Sequence, residues 1–125
     1  MSIFNLGSIN VDYIYTLPHL LAAGETLAST SFSAALGGKG ANQSIALARA
    51  GADVRHAGQV HEADTAWLGG LREAGVDCSH ILAADVSSGH AVVAVDEQTA
   101  ENQIILSPGS NQALPAEMIA PFLAS

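Results

Sequence analysis

The sequence predicts an α/β fold, a parallel-sheet core flanked by helices, with a second and smaller β-sheet attached at its edge. Three observations predict it. From Ile3 to Val76, short apolar or β-favouring runs alternate with stretches of helical periodicity, the pattern of a parallel sheet. Ala91 to Val95 and Gln103 to Leu106 are two β-favouring runs around the polar turn Asp96 to Asn102, which is a hairpin pattern. Thr26 to Ala35, rich in Ser, Thr, Phe and Ala, reads as one or two exposed strands outside the alternation. The last two segments together make the small second sheet.

Each element has its own signal. Ile3 to Leu6 is a short apolar run ending at Gly7-Ser8, a buried strand feeding a loop. Asp12 to Leu17 is a second strand, since Tyr13, Ile14, Tyr15 and Thr16 favour pleated structure. Ala41, Ile45 and Ala48 share one helical face in the run Ala41 to Ala50, and Gly51 is the natural stop. Val54 to Val60 is a weaker strand. Asp64 is placed to cap a second helix whose Trp67, Leu71 and Ala74 form an apolar stripe, ending at Gly75. After the hairpin, Ser107-Pro108-Gly109-Ser110-Asn111 is a turn, and Pro115 opens a last helical stretch. No repeat, low-complexity tract or flexible linker interrupts the chain. The last helix delivers no strand before Ser125, which points to a shortened chain.

Composition narrows the function. With 49% hydrophobic and 13% charged residues the chain is ordered and has a core to bury. The formal net charge of -8, from four basic and twelve acidic residues, argues against nucleic acid or an anionic membrane as partner. Cys78 is the single cysteine, so there is no internal disulfide framework and no cysteine-based zinc site, and it reads as a small half-buried residue. Met1-Ser2-Ile3-Phe4 has no signal-peptide character and no apolar run reaches membrane-spanning length, so a cytoplasmic location is expected. His19, His56, His61, His80 and His90 show no metal-ligand spacing and no metal is expected; His56 and His61 read as surface or turn residues. Trp67 reads as core packing.

Two loops carry chemistry. Gly37-Gly38-Lys39-Gly40-Ala41-Asn42 bends sharply into a helix whose free N–H groups favour a polar or anionic ligand. Taken alone it is equally an ordinary strand–helix connection. It is neither a P-loop, because Lys39 precedes the last glycine, nor G-x-G-x-x-G, because the third glycine is missing. Gly7-Ser8-Ile9-Asn10-Val11-Asp12 lies past a strand's carboxyl end, where open α/β sheets bind ligands. Asn10 and Asp12 are two apart and point the same way in extended chain; an amide beside a carboxylate suits vicinal hydroxyls. An Asx-type turn satisfied by its own side chains is the plainer alternative.

Taken together, the two loops closely resemble the sugar-binding end of the PfkB family of carbohydrate kinases, with a ribokinase-like subfamily nearest. The resemblance runs from Gly7–Asp12 through Gly24-Glu25-Thr26, Gly37–Gln43, Ala50-Gly51-Ala52 and Gly75-Val76-Asp77 to Ser88-Gly89 and Gly109-Ser110-Asn111. It implies a ribokinase-like parallel-sheet core, incomplete in this chain, with a small β-sheet lid. It implies that Asn10 and Asp12 bind sugar hydroxyls and that the loop with Gly38, Lys39, Gly40 and Asn42 closes over the other side of the sugar. The lid would comprise segments about 13–36 and 88–107, with Ser88, Gly89 and His90 opening its second part, and would often pair with a second subunit's lid.

The departures carry weight. The family's Gly-x-Asp turn before the second helix is Gln59-Val60-His61-Glu62-Ala63-Asp64 here. Its Thr-Gly is Ser88-Gly89, which keeps a hydroxyl, and His90 replaces a more typical apolar residue, which bears on lid packing or substrate preference. The ATP-binding half, with its Asn-x-x-Glu motif and its Gly-Ala-Gly-Asp motif and catalytic aspartate, has no equivalent in these 125 residues. The expectation is the sugar-binding part of an ATP- and Mg²⁺-dependent sugar kinase, with no catalytic residue of its own, no bound cofactor and no activity alone. The expected partners are a sugar such as ribose and a second copy of the chain, joined through the lid or an exposed sheet edge. A non-catalytic sugar-binding or dimerising remnant and a nucleoside kinase of the same superfamily are the rivals.

Overall fold

The computed structural model describes residues 2–125, which form two sheets with helices packed on the first. The first sheet is parallel, in the order β1 (Ser2–Leu6), β4 (Asp53–His61), β5 (Asp77–Ala84). The second has the order β3 (Ser31–Gly37), β2 (Asn10–Leu17), β6 (Gly89–Asp96), β7 (Asn102–Ser107). In it β2 pairs antiparallel with β3 and parallel with β6, and β6 and β7 form the antiparallel hairpin that the sequence predicts. The helices are α1 (Lys39–Arg49), α2 (Gly69–Ala74) and α3 (Ile119–Ala124).

The central strand explains the core. β4 is buried almost end to end from Val54 to Val60, as a parallel strand covered on both faces must be. On one face Val54 and Val60 pack with Ile9, Ala41, Leu68, Leu71 and Val76, and Ile3, Leu36 and Ile45 border them. Elsewhere on this sheet Phe122 of α3 meets Phe4 edge-on, ring centres 5.3 Å apart, and lies against His80. The helix stops fall where the glycines predict: Gly51 and Gly75 both have positive φ, which closes α1 and α2 without a Cβ penalty.

Several expectations need correction. β5 was not anticipated, because its alternating exposed and half-buried residues resemble an irregular segment more than a parallel strand; it is one of the sheet's two outer strands. The exposed segment expected at Thr26–Ala35 is one strand, Ser31–Gly37, preceded by loop. The second helix begins as a 3-10 turn at Glu62–Leu68, and its cap is His61, whose Nδ1 accepts from the Ala63 N–H at 2.9 Å. Asp64 instead accepts a hydrogen bond from the Ser88 hydroxyl at 2.7 Å. Three residues per turn rotate the apolar stripe, so Leu68 and Leu71 enter the core and Trp67 is left half-buried outside it. His56 is no surface residue: it is 0% exposed, held inside by hydrogen bonds that a sequence does not display.

Candidate functional site

The two glycine-bearing loops lie in direct backbone contact. A Cβ added to Gly40 would lie 2.5 Å from Ser8 N and 2.6 Å from Gly7 Cα, and one on Gly7 would lie 2.7 Å from Gly40 Cα. Only glycine permits that approach. Gly38 has φ +95, and a Cβ there would sit 2.7 Å from Ser8 O. Helix α1 starts at Lys39, two residues earlier than its apolar periodicity suggests, so Lys39 and Gly40 are helical. Its leading N–H groups are not all free. Ala41 N donates to Ser8 O at 3.0 Å and Gly40 N lies 3.5 Å from Ser8 Oγ, so Ser8 meets the helix end that was expected to favour a polar or anionic ligand.

Asn10 and Asp12 lie on one face of β2, with Gly37 and Gly89 flanking Asn10 in register on either side. A Cβ on Gly37 would lie 2.6 Å from Asp12 Cγ, so the carboxylate lies flat over that glycine. Among the described residues no hydrogen bond reaches either Asp12 oxygen. Burial pushes the Asp12 carboxyl above the usual carboxylate range. Asn10 is held by Asn111, whose Nδ2 donates to Asn10 Oδ1 at 2.8 Å and to Ile9 O at 3.2 Å. Asn111 Oδ1 also accepts from Ile9 N at 2.9 Å. Asn10 Oδ1 thus has a partner, while among the described residues no hydrogen bond engages the Asn10 amide N–H groups, which are left to donate beside an unpartnered carboxylate. One group donates and the other accepts, the pairing that a diol requires.

The remaining candidates divide. Gly38, Gly40 and Gly89 stand at this site as backbone, and Lys39 and Asn42 are exposed on the first turn of α1. Ser88 is buried at 5% exposure, accepting from His61 N at 2.7 Å while it donates to Asp64. His90 pairs with Val11 in register and so lies on the opposite face of β2 from Asn10 and Asp12, edge-on to Tyr13. There it lines a separate cleft of about 370 Å³ with Val11, Tyr13, His61, Asp64 and Ser88. Its replacement of an apolar residue therefore bears on packing behind the sheet. Ser8 and Gly37 belong to the two loops singled out by the sequence but were given no individual role there, and the part played by Asn111 was missed. Asn111 reaches across more than a hundred positions of chain, and its only sequence signal is the Gly109-Ser110-Asn111 turn.

No group of three or more His, Cys, Asp or Glu side chains among the described residues can hold a metal ion, and Ser8 occupies the amino end of α1. No helix among them is long and apolar enough to cross a membrane.

Comparison with known proteins agrees with this architecture. Residues 2–124 match the model of the pfkB family carbohydrate kinases. The ribokinase of Haemophilus influenzae is 35% identical over 117 residues, covering 91% of this chain and 38% of the relative. The crystal structure of a ribokinase from Cryptococcus neoformans var. grubii serotype A in complex with ADP superposes with a TM-score of 0.82 at 37% identity, over 90% of this chain and 36% of that one. The Arabidopsis thaliana ribokinase complexed with ribose and ATP gives 0.79 at 28% identity, over 90% of this chain and 38% of that one. The chain thus spans a little over a third of the length of the relatives it matches. On this match, over nearly its whole length, the chain belongs to the pfkB family of carbohydrate kinases.

Proposed function

We propose that this chain is the sugar-binding portion of a ribokinase-type kinase, which transfers a phosphoryl group from ATP to a sugar hydroxyl. The observation that carries the reading is the Asp12 carboxylate, unpartnered and laid over Gly37 beside an Asn10 whose carbonyl is already taken. Asp12 accepts from two sugar hydroxyls and Asn10 donates to one. Gly38, Lys39, Gly40 and Asn42 close the other side, and the β3-β2-β6-β7 sheet acts as the lid over the sugar. In the relatives' reaction class, holding the acceptor hydroxyl in place and keeping water out are worth several orders of magnitude in rate. ATP and Mg²⁺ supply the transferred group and its charge neutralisation; those parts lie outside this chain's residues, so the chain alone is inactive. A cytoplasmic location goes with this reading.

Two features support pairing with a second copy. Phe32, Ile104, Ile105 and Leu106 are 55–71% exposed on the outer strands of the lid sheet, and β1 has an open edge with Leu6 exposed beside it. The test is thermal denaturation of the pure chain with ribose, inosine or neither. Ribose is expected to raise Tm and Asp12→Asn to abolish that rise. Stabilisation by inosine alone would move the reading to a nucleoside, an equal rise in the variant would remove Asp12 from the site, and ATP turnover with ribose would refute the inactivity.

A further inference from the structure

One enclosed imidazole has no part in the site as described. The ring of His56 lies between β1 and α1, with Nε2 3.1 Å from Gly7 O and Nδ1 2.6 Å from Ser44 Oγ. Ser44, also 0% exposed, lies 2.9 Å from Asn5 Nδ2, and Asn5 Nδ2 reaches Gly40 O at 3.0 Å. The hydrogens in this chain of bonds follow from its ends. A carbonyl only accepts, so His56 Nε2 carries the proton. Nδ1 is then a lone pair that takes the Ser44 hydroxyl hydrogen, and the Ser44 oxygen accepts from Asn5. Every group is satisfied in this neutral tautomer. An imidazolium would place a second N–H against Ser44, so the hydroxyl could no longer donate to Nδ1 and would have to turn to another acceptor. Burial disfavours the cation as well and pushes the His56 pKa down from its usual value, with the bond to Gly7 opposing it in part.

The ends of this network are the two loops of the site. Gly7 opens the loop that leads to Asn10, Gly40 follows Lys39 in the first turn of α1, and their backbones touch. We propose that His56 is a positioning residue for the sugar-facing loops: the neutral ring ties the Gly7 carbonyl to α1 through Ser44, and protonation at Nδ1 removes the lone pair that holds the Ser44 hydroxyl, which loosens the tie at its α1 end while Nε2 keeps Gly7 O and lets α1 shift from the Gly7 loop. The consequence for a ligand rests on the reading of Asn10 and Asp12 given above; the tie itself does not. The groups facing the ring are Asn5 and Gly7 at the end of β1, Ser44 from α1 and Gly58 on β4, none of them titratable, and no charged side chain contributes to the His56 shift. Asp12 titrates at the site itself and must be separated by a variant.

The test is an NMR pH titration of the intact 125-residue chain, following the histidine rings and the backbone amides. The expected result is a His56 ring protonated on Nε2 at neutral pH, with a midpoint below that of a free imidazole. The amides of Gly7, Ser8, Gly40 and Ala41 are expected to move with that midpoint, and to lose this transition in His56→Gln. Ser44→Ala leaves the ring in place and is expected to uncouple Gly40 and Ala41 while Gly7 still follows. Loop amides that ignore the His56 midpoint, or that keep their transition in His56→Gln, overturn the proposal; the wild-type titration alone decides it should the variants not fold. A ribose titration separates the two readings. One pH unit below the midpoint, ribose affinity is expected to be about tenfold lower than its neutral-pH plateau in wild type, and lower by about twofold or less in His56→Gln. Coupled amides without any ribose binding would uphold the tie and sink the sugar reading.

Discussion

Gly40→Ala is the substitution that most directly tests the contact between the loops. In an exposed helix the change from glycine to alanine stabilises by about 1 kcal/mol. Here the new methyl would lie 2.5 Å from Ser8 N and 2.6 Å from Gly7 Cα, both backbone atoms. That is about 1 Å inside the usual 3.5–4.0 Å contact between carbon atoms, so α1 and the Gly7–Ser8 loop must part by that much. Overpacking of this kind costs about 1–3 kcal/mol. The separation also stretches the Ala41 N–H bond to Ser8 O and the Asn5 bond to Gly40 O, each worth about 1 kcal/mol. The balance is a loss of about 2–4 kcal/mol, or roughly 8–16 °C in Tm for a domain of this size. Gly69→Ala is the control, since nothing lies within 4 Å of its added Cβ; it is expected to be neutral or to stabilise by up to about 1 kcal/mol. Urea denaturation of both variants measures the difference. A Gly40→Ala chain as stable as wild type would mean that the loops do not touch in solution.

Other perturbations follow from the same geometry. The three atoms nearest a Cβ in Gly37→Ala all belong to the Asp12 carboxylate, a side chain that can swing, so the expected outcome is less than about 1 kcal/mol of lost stability with ribose stabilisation removed, read from Tm with and without the sugar. Asp12 has a folded-state pKa above its unfolded value, so the folded protein binds the extra proton and Asp12 costs stability at neutral pH. That cost is expected to fade as pH drops through the raised pKa towards 3.8, and Asp12→Asn to raise Tm at pH 7 while ribose binding is lost. His56 has the opposite sign. Its depressed pKa leaves stability whole above about pH 6.5 and is expected to erode it as pH falls towards the folded value, a slope absent in His56→Phe by urea denaturation at several pH values. Asn111→Ala releases Ile9 N and the Asn10 carbonyl together, for an expected loss of about 1–3 kcal/mol by the same assay.

The fold was legible where the signals were local. The β6–β7 hairpin, α1 with its Gly51 stop and the Gly75 terminator depend on turn chemistry and periodicity within a few residues. Failures came where a distant residue overrides a local preference. Asp64 has the right chemistry for a helix cap, yet Ser88 claims it and His61 takes the cap. β5 is a parallel strand with only one neighbour, so its half-exposed pattern carries none of the continuous apolar signal that marks β4. His56 looked polar and peripheral because a lone histidine does not reveal Ser44 and the Gly7 carbonyl waiting on either side.

At the site the sequence displayed the residues and concealed the restraints. Asn10, Asp12 and the glycine turn could be found by type and spacing, but the proposed site rests on what they have left to offer, the Asp12 oxygens and the Asn10 amide N–H groups. Asn111 uses up the carbonyl of Asn10, Gly37 and Gly89 clear the space in which the two side chains lie, and Ser8 fills the amino end of α1 that would otherwise attract a phosphate. Three glycines around a lysine invite a phosphate-cradle reading. That reading requires free N–H groups at the start of the helix, and Ser8 accepts from two of them. The glycines serve a different need: Gly40 brings α1 against Gly7, and Gly38 turns the chain past Ser8. The conformational freedom of that loop is therefore spent on packing two loops together, which leaves Asp12 as the unpartnered acceptor through which a hydroxyl-bearing ligand would be held.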